Sequence, residues 1–68
     1  MWLRGRDALI NTDHLAMIFA EDQGGTWVVA GRTTVGERGG IVLVLAEADD
    51  ESKARTLLDA YLTRLEAE

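Results

Sequence analysis

The segment that decides the fold is AEADDESKARTLLDAYLTRLEAE, residues 46–68. Its apolar side chains recur every three or four positions, which places them on one side of an α-helix. They are Ala54, Leu57, Leu58, Tyr61, Leu62 and Leu65. Asp49 is the expected N-cap, because its short carboxylate can accept a hydrogen bond from a free backbone N–H of the first turn. The pattern predicts an amphipathic helix over residues 49–66, which needs a partner surface because so short a helix is marginal alone.

The residues before this helix have the composition of short strands separated by turns. Strands are expected at residues 2–4, 8–10, 14–20, 26–35 and 41–45, since these stretches are apolar or β-branched and are bounded by Gly, Asn and Asp. Gly24 and Gly25 are typical of a tight hairpin turn. Gly31 predicts a bulge or a close approach to the backbone.

These features predict one α+β domain over residues 1–68. Residues 2–45 are expected to form a small antiparallel sheet of four to five strands, built as a meander of hairpins. The single C-terminal helix is expected to cover one face of that sheet.

Two of the expected strands are apolar on both sides. Alternation puts Leu15, Met17 and Phe19 opposite Ala16, Ile18 and Ala20, and it puts Ile41, Leu43 and Leu45 opposite Val42 and Val44. One helix covers only one face of a sheet. The other face is therefore expected either to close into a small barrel or, as we favour, to bind a second copy of the chain.

The small size of the chain supports self-association. A domain of 68 residues buries a modest core, and such domains depend on disulfides, metals or association. The sequence has no cysteine, which excludes disulfides. A homodimer is therefore favoured among oligomers, with a protein partner as a further possibility. The expected self-association residues are Met17, Phe19, Val42 and Val44.

Composition also excludes several classes of function. The net charge of -5 argues against general nucleic-acid binding, which needs clustered Lys and Arg. One histidine and no cysteine exclude the usual zinc sites. No segment approaches the roughly 20 apolar residues of a membrane span. A cytoplasmic protein without membrane contact, metal or cofactor is expected.

No pattern of residues indicates catalysis. His14 could act as a general base, but it follows Asp13, and adjacent residues of a strand point to opposite faces and do not form an orienting pair by proximity alone. The residues Asp49 to Glu51 lack the alternating spacing of a calcium loop. The glycine-rich turns lack the Gly-Lys-Ser/Thr ending of a nucleotide-binding loop. The sequence therefore predicts a protein that is not an enzyme.

One group of residues suggests a binding site for a small anionic ligand. Guanidinium groups hold phosphate or carboxylate, and indole rings stack on bases. The candidate ligand-binding residues are Arg4, Arg6, Trp27, Arg32 and Arg38, with Trp2 nearby in sequence. The alternative interpretation is that the arginines lie at strand ends in water and the tryptophans fill the core.

Both ends of the chain resemble a group of short bacterial and phage-borne proteins of unknown function that begin Met-Trp-Ile-Arg-Ser. The matching segments are Met1–Arg4, Ala8–Asn11, Leu45–Asp49, and Ala54 with Leu57–Asp59. Ala46 and Ala48 depart from the Gly and Tyr of that group. The resemblance implies a bacterial or phage source and a strand-rich body with a terminal helix, and it implies no activity.

Two functions from different classes follow from these observations. The first is a non-catalytic protein–protein interaction or assembly module, such as a small bacterial or phage accessory or regulatory protein. The second is a binder of a small anionic, nucleotide-like ligand, held through Arg and Trp on the sheet or at a subunit interface.

Overall fold

A computed structural model describes residues 1–34 and 40–67. The described residues form five strands and one helix, with a short 3-10 turn, Thr12–His14, between the second and third strands. The elements are β1 (Trp2–Arg4), β2 (Leu9–Asn11), β3 (Leu15–Gln23), β4 (Thr26–Thr33), β5 (Val42–Ala48) and α1 (Glu51–Glu66). The predicted α+β class is confirmed.

The five strands lie in two sheets rather than one. β1 and β2 form an antiparallel hairpin, and β3, β4 and β5 form an antiparallel sheet with β4 in the middle. The turn of the small hairpin meets the outer edge of β5, where the Arg6 N–H donates to the Val44 carbonyl over 3.0 Å. The strand ladder does not continue across this junction. A single sheet of four to five strands is therefore not confirmed.

The predicted hairpin turn joins β3 to β4. Gly24 and Gly25 have φ angles of 66° and 97°, in the left-handed region that glycine adopts at little cost. The Gly25 N–H also donates to the Asp22 carboxylate over 2.9 Å. β3 extends to Gln23, beyond the expected end at residue 20, because its last residues pair with the start of β4.

Two β-bulges change which side chains reach the core. The pairing of β3 with β4 shifts between Leu15 and Met17, so Leu15 lies on the same face as Ile18 rather than beside Met17 as strict alternation predicted. The pairing of β4 with β5 shifts opposite Val29 and Ala30, where Leu45 is the extra residue. A Cβ added to Gly31 would lie 2.9 Å from Leu15 Cδ2. The close approach predicted at Gly31 is thus made by the Leu15 side chain.

The core lies between the three-stranded sheet and helix α1. Ile10, Val29 and Leu45 are buried at its centre. The side chains that pack against them come from both the sheet and the helix, and they are Leu15, Ile18, Leu43, Leu57, Leu58 and Tyr61. Ala54 has no exposed surface, whereas Leu62 keeps 37% of its surface exposed. The helix therefore covers the face of the sheet that carries Val29.

The helix begins later than predicted. Its N-cap is Asp50 rather than Asp49, because Asp50 has extended backbone angles and its carboxylate accepts from the Lys53 N–H over 2.8 Å. Asp49 instead pairs with the Lys53 ammonium over 3.3 Å at the exposed surface. β5 continues to Ala48, past the expected end at residue 45, and this extension moves the start of the helix toward the C-terminus.

Replacing the two aspartates separately tests this assignment. We expect Asp50→Ala to lower the free energy of unfolding by about 1 kcal/mol, because it leaves a first-turn N–H without its acceptor. Asp49→Ala removes only an exposed ion pair and should cost less than about 0.5 kcal/mol. Urea denaturation of both variants and the wild type measures the difference. Equal losses, or a larger loss for Asp49→Ala, would contradict the assignment.

Candidate interaction surface

The face of the three-stranded sheet opposite α1 is called here the free face. Directly paired residues of antiparallel strands point to the same side of the sheet, so the register assigns its members to three rows across β3, β4 and β5. The rows are Met17–Arg32–Val42, Phe19–Ala30–Val44 and Glu21–Val28–Glu47.

The free face holds all four residues predicted for self-association. Met17 and Phe19 lie on β3, and Val42 and Val44 lie on β5. Met17 and Val42 keep 51% and 41% of their surface exposed, while Phe19 and Val44 are half-buried. Between these two strands, Val28 and Ala30 of β4 are buried. The structure thus gathers the four predicted residues on one apolar surface.

Charged side chains lie at the two ends of the free face. The exposed Arg32 is in the first row, and Glu21 and Glu47 are in the third. These rows lie four positions apart along β4, a distance of about 13 Å in an extended strand. Within residues 1–34 and 40–67, Arg32 has no carboxylate partner. One end of the free face therefore carries the Arg32 cation, and the other carries the carboxylates of Glu21 and Glu47, of which Glu47 contacts the Arg6 guanidinium.

The residues predicted to bind an anionic ligand do not converge on one site. Arg32 is on the free face, whereas Trp27 is half-buried on the opposite side of β4. Arg4 is exposed on β1, and Arg38 lies outside the described residues. No single surface of the described chain presents both Trp27 and Arg32.

Arg4 and Arg6 do share one feature, a surface depression of about 410 Å³ that Asp7 also lines. The Arg6 guanidinium contacts the Asp7 carboxylate over 2.9 Å and the Glu47 carboxylate over 3.5 Å. The hydrogen bond and the charge of Asp7 raise the pKa of Arg6, with a smaller contribution from Glu47. Arg6 is thus a permanent cation whose charge is partly balanced within the chain.

A second apolar surface was missed in the sequence. Trp2, Leu9 and Ile41 expose 59%, 63% and 57% of their surface, and they line a groove of about 310 Å³ that also includes His14 and Leu43. Their neighbours Leu3 and Ile10 are buried. The available signal was the pair of adjacent apolar residues in each of the first strands, since adjacent residues point to opposite sides and a two-stranded hairpin that buries one side leaves the other apolar residue outside.

The part of the chain that the structure describes contains neither a cluster of metal-binding groups nor a helix suited to cross a membrane. No three carboxylate or histidine groups in residues 1–34 and 40–67 come together in a way that could hold a metal ion. In the same residues, no helix has the length and apolar character needed to cross a membrane.

Two surfaces of the described chain thus bring predicted functional residues together: the free face gathers the four apolar residues, and the depression beside Asp7 gathers Arg4 and Arg6. No protein-family model, curated protein or solved structure matches the chain.

Proposed function

We propose that this chain is a non-catalytic protein–protein interaction or assembly module whose contact surface is the free face. The observation that carries the proposal is the position of Met17, Phe19, Val42 and Val44 together on the face that α1 does not cover. Apolar side chains gathered on one surface mark sites of protein contact more often than scattered ones do. Covering them removes apolar area from water, at roughly 25 cal/mol per Å².

The hydrogen bonds of the hydroxyl side chains support a non-catalytic role. Thr12 donates to the Met1 carbonyl over 2.9 Å, and Thr34 donates to the His14 carbonyl over 3.2 Å. Thr56 donates to a carbonyl one turn earlier in α1. These hydroxyls hold turns and helix backbone, whereas a nucleophilic hydroxyl needs a neighbouring base that accepts its proton.

The biological setting belongs to the same proposal. The resemblance at both ends of the chain supports a bacterial or phage source, and the apolar surface that α1 leaves uncovered supports an accessory or regulatory role within a complex. Such a protein acts through the complex that it joins, so the residues that matter for it are those of the contact surface.

Adding a charge to the free face tests the proposal. We expect Val42→Lys to raise the dissociation constant of any assembly about tenfold or more, because it places an ammonium group in an apolar contact. Size-exclusion chromatography with multi-angle light scattering, over a hundredfold dilution, measures the molar mass of wild type and variant. Circular dichroism melting confirms that the variant is folded.

Leu9→Lys is the matched control, since Leu9 is an exposed apolar strand residue outside the free face. We expect it to assemble as the wild type does. An assembly that survives Val42→Lys and dissociates with Leu9→Lys would contradict the proposal and assign the contact to the groove lined by Trp2, Leu9 and Ile41.

A second candidate function is the binding of a small anionic, nucleotide-like ligand. The observation that favours it is the depression lined by both Arg4 and Arg6. If it binds such a ligand, ADP at 100 times its dissociation constant should stabilise the fold by about 2.7 kcal/mol. Thermal unfolding with increasing ADP measures this effect.

Arg4→Gln should abolish the stabilisation by ADP, and Arg64→Gln should preserve it because Arg64 lies on α1, away from the depression. No rise in the melting temperature at millimolar ADP would exclude ADP binding. An equal loss in both variants would indicate a general charge effect rather than a site.

A further inference from the structure

We propose that the occupant of the free face is a second copy of this chain, related to the first by a two-fold axis that runs across the strands. This inference rests on the proposed function and specifies its partner. The observation behind it is the separation of Arg32 from Glu21 and Glu47 on either side of the Ala30 row.

Two sheets that pack face to face can be related by a two-fold axis lying in the plane between them. If the axis runs parallel to β4, each row faces the same row of the partner. Arg32 then lies opposite the partner's Arg32, and Glu21 lies opposite the partner's Glu47. Arg32 and Glu21 thus meet charges of their own sign, which is unfavourable between packed sheets, although Arg6 partly balances the charge of Glu47.

If the axis instead runs across the strands at Ala30, the first row of one chain faces the third row of its partner. Arg32 then faces the partner's Val28, between the partner's Glu21 and the partner's Glu47. The middle row faces itself, so that Phe19, Ala30 and Val44 form an apolar centre. The two-fold symmetry repeats the charge contact at both ends of the interface, as an isologous dimer requires.

The dimensions of sheet packing agree with the second arrangement. Sheets stack about 10 Å apart with their strands within about 30° of parallel. An arginine side chain spans most of that gap, and the rotation of the sheets moves its guanidinium group toward one of the two flanking carboxylates. Arg32 is free to do so, because it pairs with no carboxylate of the described chain.

The overall charge of the chain makes the contact between Arg32 and the partner's carboxylates important. Each chain carries a net charge of -5, so two copies repel each other at long range. A partner of the same sequence is favoured only if opposite charges meet at the contact. The axis across the strands provides this match twice and leaves the apolar rows in contact.

Two charge variants and their mixture test the arrangement. The first variant is Arg32→Glu. The second combines Glu21→Arg with Glu47→Gln, where the glutamine keeps an oxygen that can accept from Arg6. In either variant alone, like charges meet in the proposed dimer, and we expect the dissociation constant to rise about tenfold or more.

Mixed in equal amounts, the two variants should form a heterodimer, because each end of the interface then pairs opposite charges. Sedimentation velocity on the wild type, each variant and the mixture measures the masses. Arg55→Glu is the control for a charge reversal of the same kind on the exposed side of α1, and it should dimerise as the wild type does.

The outcomes separate this inference from the function on which it rests. If each charge variant dimerises weakly alone and the mixture dimerises as the wild type does, the arrangement is supported. A wild-type dimer that Val42→Lys disrupts but the charge variants leave intact would overturn the arrangement and keep the free face as the contact. A dimer unaffected by all these changes would overturn both and indicate pairing elsewhere, such as along the outer edge of β3. A wild type that stays monomeric would overturn self-association itself.

Discussion

One helix cannot cover both faces of a sheet whose middle strand is apolar on each side, and this limit governs the rest of the molecule. Val29 of β4 is buried against α1 and the small hairpin, and Val28 beside it points the other way. Apolar side chains therefore lie on both faces of β4, instead of on one face with polar side chains on the other. The chain satisfies one face with its own helix and leaves Met17 and Val42 exposed on the other.

The two bulges decide how the apolar side chains are divided between the faces. The shift near Ala16 brings Leu15 onto the helix face, where its side chain covers Gly31. The shift at Leu45 leaves that leucine on the helix face, where alternation already placed it, and it brings Ala46 onto the same face and Glu47 onto the free face. The first bulge therefore enlarges the core at the expense of the free face, and the second replaces Ala46 by Glu47 on the free face. The free face keeps a smaller apolar centre with charges at its ends, which suits a selective contact better than an unbroken apolar surface.

The sequence predicted the features that depend on local periodicity and turn chemistry. The stripe from Ala54 to Leu65 identified the helix, and Gly24 and Gly25 identified the hairpin. The grouping of Met17, Phe19, Val42 and Val44 was predicted because residues two apart share a face of a strand. Features that depend on pairing were not predictable in this way. The partner strand decides where a bulge forms and whether the small hairpin joins the main sheet. The end of β5 decides that Asp50, rather than Asp49, is the N-cap.

The most direct test of the account is an isotope-filtered nuclear Overhauser experiment on a mixture of labelled and unlabelled wild-type chains. It detects only protons of two different chains that lie close together. If the free face binds a second copy across the two-fold axis at Ala30, the Val44 methyl groups of one chain should show contacts to Val44 of the other. Contacts confined to Leu9 and Ile41, or no contacts between chains at all, would contradict the account.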